Sequence, residues 1–176
     1  GVFTVLFGKA VGETGTVIAV EPFPESAAMN LRNIVNNRLR NVRLRVCCLS
    51  DLCGSQSFYL HKGKPNSFSL LEDGSSASFN SRVTTIDKLV ADEGLTRVDF
   101  IKLDVEGVEE ETLKGAENTI RKFNPTLLVE NTITRSIPPC EGYVRLRYRD
   151  SHNALLVAKG SEKEKKLLHL GFTLES

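Results

Sequence analysis

The 176-residue sequence predicts a doubly wound α/β fold, a mostly parallel sheet with helices on both faces and an antiparallel edge strand near the C-terminus. Three observations predict it. Short β-branched runs alternate with stretches of helical period, the order that builds parallel strands joined by crossover helices. The segments Val98 to Leu103 and Thr126 to Val129 read as strands of a sheet covered on both sides. Finally, four successive predicted strands are each followed by a carboxylate, on the rim where such sheets gather their binding residues.

Val2, Phe3, Leu6 and Ala10 recur at helical spacing, so the chain opens on an apolar helix with only Gly1 at the capping position. Gly12 and Gly15 frame a turn into a strand over Thr16 to Val20, which Pro22 and Pro24 stop. A helix follows over Ser26 to Arg38, with Ala27, Leu31, Ile34 and Val35 on one face. In the next strand Val42, Leu44 and Val46 alternate with Arg43 and Arg45, the pattern of a strand with one wet face. Residues 54–82 are rich in Gly, Ser and Asn and predict a lid or hairpin extension, with short strands at Ser57–Leu60 and Arg82–Thr85.

The segment after Thr85 predicts a short helix, capped by that threonine and ended at Gly94. Beyond the Val98–Leu103 strand, Val108, Leu113, Ala116, Ile120 and Phe123 mark a helix face that Asn124 and Pro125 terminate. A proline-containing loop (Ser136 to Gly142), a strand pair (Tyr143–Tyr148, Ala154–Lys159) and a helix from Ser161 to Leu170 complete the chain. No internal repeat or linker interrupts it, so residues 1–176 read as a single domain.

Composition narrows the function classes. With 40% hydrophobic and 26% charged residues the chain is globular, and a formal charge of +1 gives no pull toward nucleic acid. No apolar run approaches the roughly 20 residues of a spanning helix. Cys47, Cys48, Cys53 and Cys140 form no C-x-x-C pair, and no histidine stands at zinc-finger spacing; no metal site is expected. Free thiols in a reducing compartment, the cytoplasm, are the expectation.

The strand-end acids carry the chemistry. Glu21 follows the first predicted strand, Ser50 and Asp51 follow the Arg-striped one, Asp104 and Glu106 follow Leu103, and Glu130 follows Val129. A single acid there is ordinarily a solvated loop residue; four on one rim are harder to assign to chance. An acid closing the second strand of such a sheet accepts hydrogen bonds from ribose hydroxyls.

"IKLDVEGVEEETLKGAENTI" followed by "PTLLVEN", with "GTVIAVEPFPE" and "LSDLCG" upstream, resembles the FkbM-type methyltransferases, over roughly residues 1 to 160. The most specific part is Asp104, Glu106, Gly107 and Glu109 with Leu113, Gly115 and Ala116 downstream. The resemblance implies a Rossmann-like sheet and S-adenosylmethionine as cofactor. It implies that Glu21 binds the ribose, that Ser50 and Asp51 lie beside the adenine, and that Asp104 faces the methyl-donor end with Glu106 on the substrate side. Gly107 would supply a tight turn, Glu109 reads first as a helix-start acid, and Glu130 would equally line the acceptor pocket or make a structural hydrogen bond.

The family's first strand ends in D-x-G-A-N-x-G, of which only the final glycine, Gly1, stands here. The resemblance therefore implies a domain lacking its first strand, expected between the strands that end at Glu21 and Asp104, with Gly1 as the remnant of the cofactor loop. The implied reaction is O-methylation of a small-molecule or sugar hydroxyl, with Asp104 or Glu106 as general base. The alternatives are a non-catalytic Rossmann-like fragment or interaction domain, and a nicotinamide-dependent sugar epimerase. The latter requires Y-x-x-x-K, and none of Tyr59, Tyr143 and Tyr148 has a lysine four residues on. His61, His152 and His169 are isolated, "SEKEKK" at 161–166 reads as a solvated helix face, and Arg145, Arg147 and Arg149 form a basic stripe that suits an exposed strand face or an anionic acceptor.

Overall fold

The computed structural model describes residues 1–60, 68–69, 78–105, 107–130, 141–151 and 153–175. The chain forms two compact units, Gly1–Thr84 and Thr85–Ser176.

The first unit begins with helix α1, Val2–Ala10, whose N-cap Gly1 makes no side-chain capping bond. Its packed side is not the expected one. Gly8 is the buried residue, and a Cβ there would come within 2.9 Å of Leu39 and Val42 side-chain carbons. Val2, Phe3 and Leu6 are exposed, Val2 by 79%. A helix apolar all round cannot bury every side against one neighbour, and the glycine side permits the closest approach. Helix α2, Pro24–Asn36, starts two residues before the expected boundary because Pro24 suits the first helical turn. It stops at Asn37, before Arg38 takes a left-handed φ of 55°. Its buried residues are Ala27, Asn30 and Ile34, whereas Leu31 and Val35 are exposed.

Strands β1 (Val17–Val20) and β2 (Val42–Arg45) run parallel, from Val17 opposite Val42 to Val20 opposite Arg45. The chain then changes sheets. Strands β3 (Cys48–Leu49), β4 (Gly54–Leu60), β5 (Phe68–Ser69) and β6 (Ser78–Thr84) form a sheet of order β3-β6-β4-β5. The expected hairpin extension is thus present as β4 against β6, antiparallel from Gly54–Val83 to Tyr59–Ser78, while β3 lies parallel on the other side of β6. Cys48, Phe58 and Val83 form its core with Phe79 packed on them. Phe79 stacks on Phe58 and meets Phe23 edge-on, with centroids 5.4 and 5.3 Å away.

The second unit opens with α3, Ile86–Asp92, capped as expected: Thr85 Oγ1 accepts Lys88 N–H at 3.0 Å. Strand β7 (Phe100–Leu103) leads into α4 (Glu109–Lys114) and α5 (Glu117–Phe123), so the single expected helix is broken at Gly115–Ala116. The N-terminus of α5 has only Ala116 at its cap, and Asp87 of α3 supplies the missing acceptor. Its Oδ1 takes Thr119 N–H at 2.7 Å, and its Oδ2 takes Asn118 N–H at 3.0 Å and the Asn118 amide at 2.9 Å. Asn124, left-handed at φ 46°, ends α5 just before Pro125.

Strands β8 (Thr126–Glu130), β9 (Tyr143–Tyr148), β10 (Asn153–Ala158) and β11 (Phe172–Leu174) join β7 in the order β11-β9-β10-β8-β7. β7 and β8 are parallel and the β8–β10, β10–β9 and β9–β11 pairings are antiparallel, so the expected antiparallel edge is three strands wide. β11 escapes the sequence pattern because it is only three residues long and follows α6 (Glu162–His169) directly. Leu127, Val129, Leu146, Ala154 and Val157 are fully buried and form the centre of this sheet. The 161–166 segment is the expected solvated helix, with Ser161 accepting Glu164 N–H at 3.2 Å.

Candidate functional site

Glu21 directly follows β1, and its N–H still donates to Arg45 O at 3.0 Å, extending the β1–β2 ladder by one bond. Pro22 then turns the chain into α2, so the Glu21 carboxylate folds back and accepts Phe23 N–H at 3.2 Å. Burial pushes the Glu21 carboxyl above its ordinary range, against the Phe23 N–H, which draws it down.

Gly1 lies against Asn30 of α2. A Cβ at Gly1 would stand 2.7 Å from Asn30 Oδ1, so the Asn30 side chain would have to shift to admit one. Asn30 is 5% exposed and donates to Thr4 Oγ1 at 3.1 Å, while its buried Oδ1 has no hydrogen-bond partner. Sequence reasoning missed this residue, which sits among the apolar positions of α2 as a polar interruption.

Ser50 and Asp51 do not follow the Arg-striped strand. That strand ends at Arg45 because its partner is β1, whereas β3, which they do follow, pairs with β6 in another sheet. Ser50 N–H donates to Thr84 O at 3.0 Å, and its hydroxyl donates to Asp51 Oδ1 at 3.1 Å, which leaves Asp51 exposed at the turn. Cys47, Cys48 and Cys53 are free thiols. Burial raises the Cys48 thiol to about 11, with the Glu21 charge adding to it.

In the second unit Asp104 follows β7. The pairing of Leu103 with Val129 continues in register to set Asp104 beside Glu130, the last residue of β8. Lys102 Nζ lies 2.6 Å from Asp104 Oδ2. The Glu130 hydrogen bond is the largest influence on Asp104; together with Lys102 it outweighs burial and holds the carboxyl below its ordinary range. Lys102 was legible in principle, since residues two apart on a strand share a face.

Glu106, the other expected catalytic carboxylate, lies outside the described residues. Gly107 adopts φ 100°, a conformation open to glycine, and makes the tight turn. Its N–H donates to Glu109 Oε1 at 3.2 Å, and Glu109, Glu110 and Glu111 fill the first turn of α4, the favourable end for negative charge. Glu109 thus serves the helix start.

The basic stripe is engaged within the fold. Arg145 Nε meets Glu175 Oε2 at 2.7 Å and Arg147 pairs with the other oxygen. His169 is exposed in the last turn of α6; His61 and His152 lie outside the described residues. Among the described residues no group of three or more His, Cys, Asp or Glu is placed to hold a metal ion, and no helix is long and apolar enough to cross a membrane.

These features define a mixed α/β protein whose parallel strands β1 and β7 each give way to a carboxylate. The chain belongs to the FkbM methyltransferase family: the Methyltransferase FkbM domain matches residues 2–138. A crystal structure of methyltransferase FkbM from Methylobacillus flagellatus KT shares its fold, at 20% sequence identity and a TM-score of 0.54. The similarity covers 86% of this chain and 39% of that one, so the chain spans well under half of its structural relative. No curated protein matches the sequence.

Proposed function

We propose that residues 1–176 form one Rossmann-like, doubly wound methyltransferase domain that uses S-adenosylmethionine to O-methylate a hydroxyl of a small molecule or sugar. The observation that carries the reading is the Glu21 carboxylate, half-buried where β1 ends and turned back by a single backbone N–H. A carboxylate has about four acceptor sites, so one that accepts Phe23 N–H keeps capacity for a ribose diol. Gly1, bare of a side chain beside the buried and unpartnered Asn30 Oδ1, fits close approach of the cofactor to α1. In this reading Gly1, Glu21, Ser50 and Asp51 bind the cofactor.

S-Adenosylmethionine, when bound, supplies a methyl group on a sulfonium centre, open to in-line displacement. In this reading Asp104 would stand toward the methyl-donor end and would take the proton of the acceptor hydroxyl as general base. An ionised carboxylate is an acceptor only, and Lys102 beside Asp104 favours that state. In the same reading Glu106 would be the second acid, on the substrate side, and Glu130 would line the acceptor end. The free thiols fit a reducing compartment, and we place the protein in the cytoplasm.

Calorimetric titration of S-adenosylhomocysteine tests the assignment. Binding that weakens in Glu21→Ala supports it. Absence of binding, or binding unchanged in that variant, overturns it in favour of a non-catalytic Rossmann-like domain.

A further inference from the structure

We propose that the C-terminal arm, α6 with β11, is a strap that opens as one unit about Gly160, and that the Glu175 carboxylate is the latch that holds it shut on β9. The arm follows the residues that match the FkbM domain, so the inference does not rest on the methyltransferase reading.

Burial does little to hold the arm. No residue from 161 to 175 is fully buried, and α6 contributes no buried side chain. Its Lys163 Nζ reaches Asp99 O at 3.5 Å, the limit of a hydrogen bond. β11 is three residues long, Leu174 in it is 57% exposed, and the Phe172 ring lies 5.0 Å from that of Tyr148, itself exposed. The strands beneath are different: β9 and β10 carry Leu146, Ala154 and Val157, all fully buried. A segment with few buried apolar contacts opens at a lower free energy than the sheet it lies on. Gly160 gives the chain a place to swing, with φ at 77° and open space where a Cβ would stand.

Charge supplies the hold that burial does not. Arg145 and Arg147 are two residues apart on β9, so their side chains share a face and their guanidiniums repel each other. The β11 register continues past the Leu174–Leu146 pair, and Glu175 N–H donates to Arg145 O at 2.9 Å. That bond sets the Glu175 carboxylate where both guanidiniums share it. Oε2 is 2.7 Å from Arg145 Nε, and Oε1 pairs with Arg147 Nη2. The Arg145 contact lacks the alignment of a hydrogen bond, so its attraction is coulombic. The side chains of Arg145, Arg147 and Glu175 are 23, 30 and 29% exposed, and partly buried charges are screened less than those on the open surface. Arg147 is also fixed from the core side, where Ser151 O accepts from its Nη1 at 3.3 Å.

The arginines therefore stay with the sheet when the arm leaves, and Glu175 goes with the arm. Opening breaks both ion pairs in one step, because a single side chain makes them. It also leaves two uncompensated guanidiniums beside the bared edge of β9, and charge on a free edge discourages pairing with another strand.

Amide hydrogen exchange of the whole chain, read residue by residue by NMR, tests this. The protected amides of α6 and β11 share one opening rate, faster than that of β8 and β10. In Glu175→Gln, exchange across α6 and β11 rises together by roughly tenfold, the order expected for losing two partly buried ion pairs, while β8 and β10 keep their rates. The double variant Arg145→Gln, Arg147→Gln removes the same pairs from the core side and gives the same rise. Exchange of β11 unchanged in either variant overturns the proposal. A rise confined to β11, with α6 unmoved, does so too, because the arm would not then open as a unit. An equal rise throughout β8 and β10 also overturns it, since Glu175 would then support the whole sheet and not a strap.

Discussion

Glu21 and Asp104 occupy the same local position, the first residue after a parallel strand, yet their surroundings push them in opposite directions. Glu21 is drawn inward by the Pro22 turn, and burial raises its carboxyl against the pull of Phe23 N–H. Asp104 is more open, and its Glu130 and Lys102 neighbours lower it. Position in the fold makes a strand-end acid available; the next two residues and the adjacent strand decide what it can do. A half-buried acid with spare lone pairs suits hydroxyl recognition, and an ionised acid with a fixed counter-ion suits proton abstraction.

The largest expected effect breaks the comparison on the Asp104 side. Asp104→Asn retains the shape and a hydrogen-bonding partner for Glu130 but removes the base, so methyl transfer falls by roughly 10²–10⁴-fold while cofactor binding changes far less. Turnover assays with radiolabelled S-adenosylmethionine, beside calorimetry on the same preparation, measure both. A fall in affinity that matches the fall in turnover would move Asp104 from proton abstraction to cofactor binding.

Next in size is Glu21→Ala. Losing hydrogen bonds to a charged acceptor costs about 1.5–3 kcal/mol, roughly 10–150-fold in affinity. The reading requires this loss in S-adenosylhomocysteine binding.

A third carboxylate sharpens the contrast because it has a purely structural task. Burial alone would raise Asp87, but hydrogen bonds from Thr119 and Asn118 overcome it and hold the carboxyl low. Asp87→Ala leaves the α5 N-terminus without its acceptor and is expected to cost about 0.5–2 kcal/mol of stability, the range for lost helix caps. The sign follows from the lowered folded value. The contribution is complete above the ordinary aspartate range and disappears as pH falls through the folded value. Urea melts at pH 7 and in strong acid check both statements, and a gap between native and variant protein that persists unchanged in acid would contradict them.

Much of this was legible in the sequence, for identifiable reasons. The Thr85 and Ser161 caps, the αL stop at Asn124 and the strand-end positions of Glu21 and Asp104 are local chemistry, decided within a few residues. What the sequence hid depends on partners distant along the chain. Ser50 belongs to β3 instead of the Arg-striped strand only because β6 arrives to pair with it. The buried side of α1 is set by Leu39 and Val42, so a face of Val2, Phe3 and Leu6 that reads as core is exposed. Asp87 caps a helix that begins 30 residues later.

The smallest expected effect tests the Glu21 side of the comparison through a reporter that is already present. Cys48 is raised to about 11, first by burial and further by the Cys47 and Glu21 charges against a hydrogen bond with Ser81, whereas the neighbouring Cys47 is raised by burial and lowered by Arg82 and Arg45. Glu21→Gln removes the negative charge and keeps an oxygen for Phe23 N–H. Cys48 then forms its thiolate at lower pH, and alkylation by iodoacetamide near pH 9 increases at Cys48 relative to Cys47, read by fragmentation of the peptide that contains both. The same variant carries a stability sign opposite to that of Asp87. A raised Glu21 stabilises the folded state at low pH, and that contribution is lost as pH rises through the folded value, so Glu21→Gln matches the native protein in acid and is the more stable of the two at neutral pH. An unchanged Cys48-to-Cys47 ratio, or a variant less stable at neutral pH, would mean that Glu21 is not held as a strained, half-buried charge, and the contrast with Asp104 would then reduce to exposure alone.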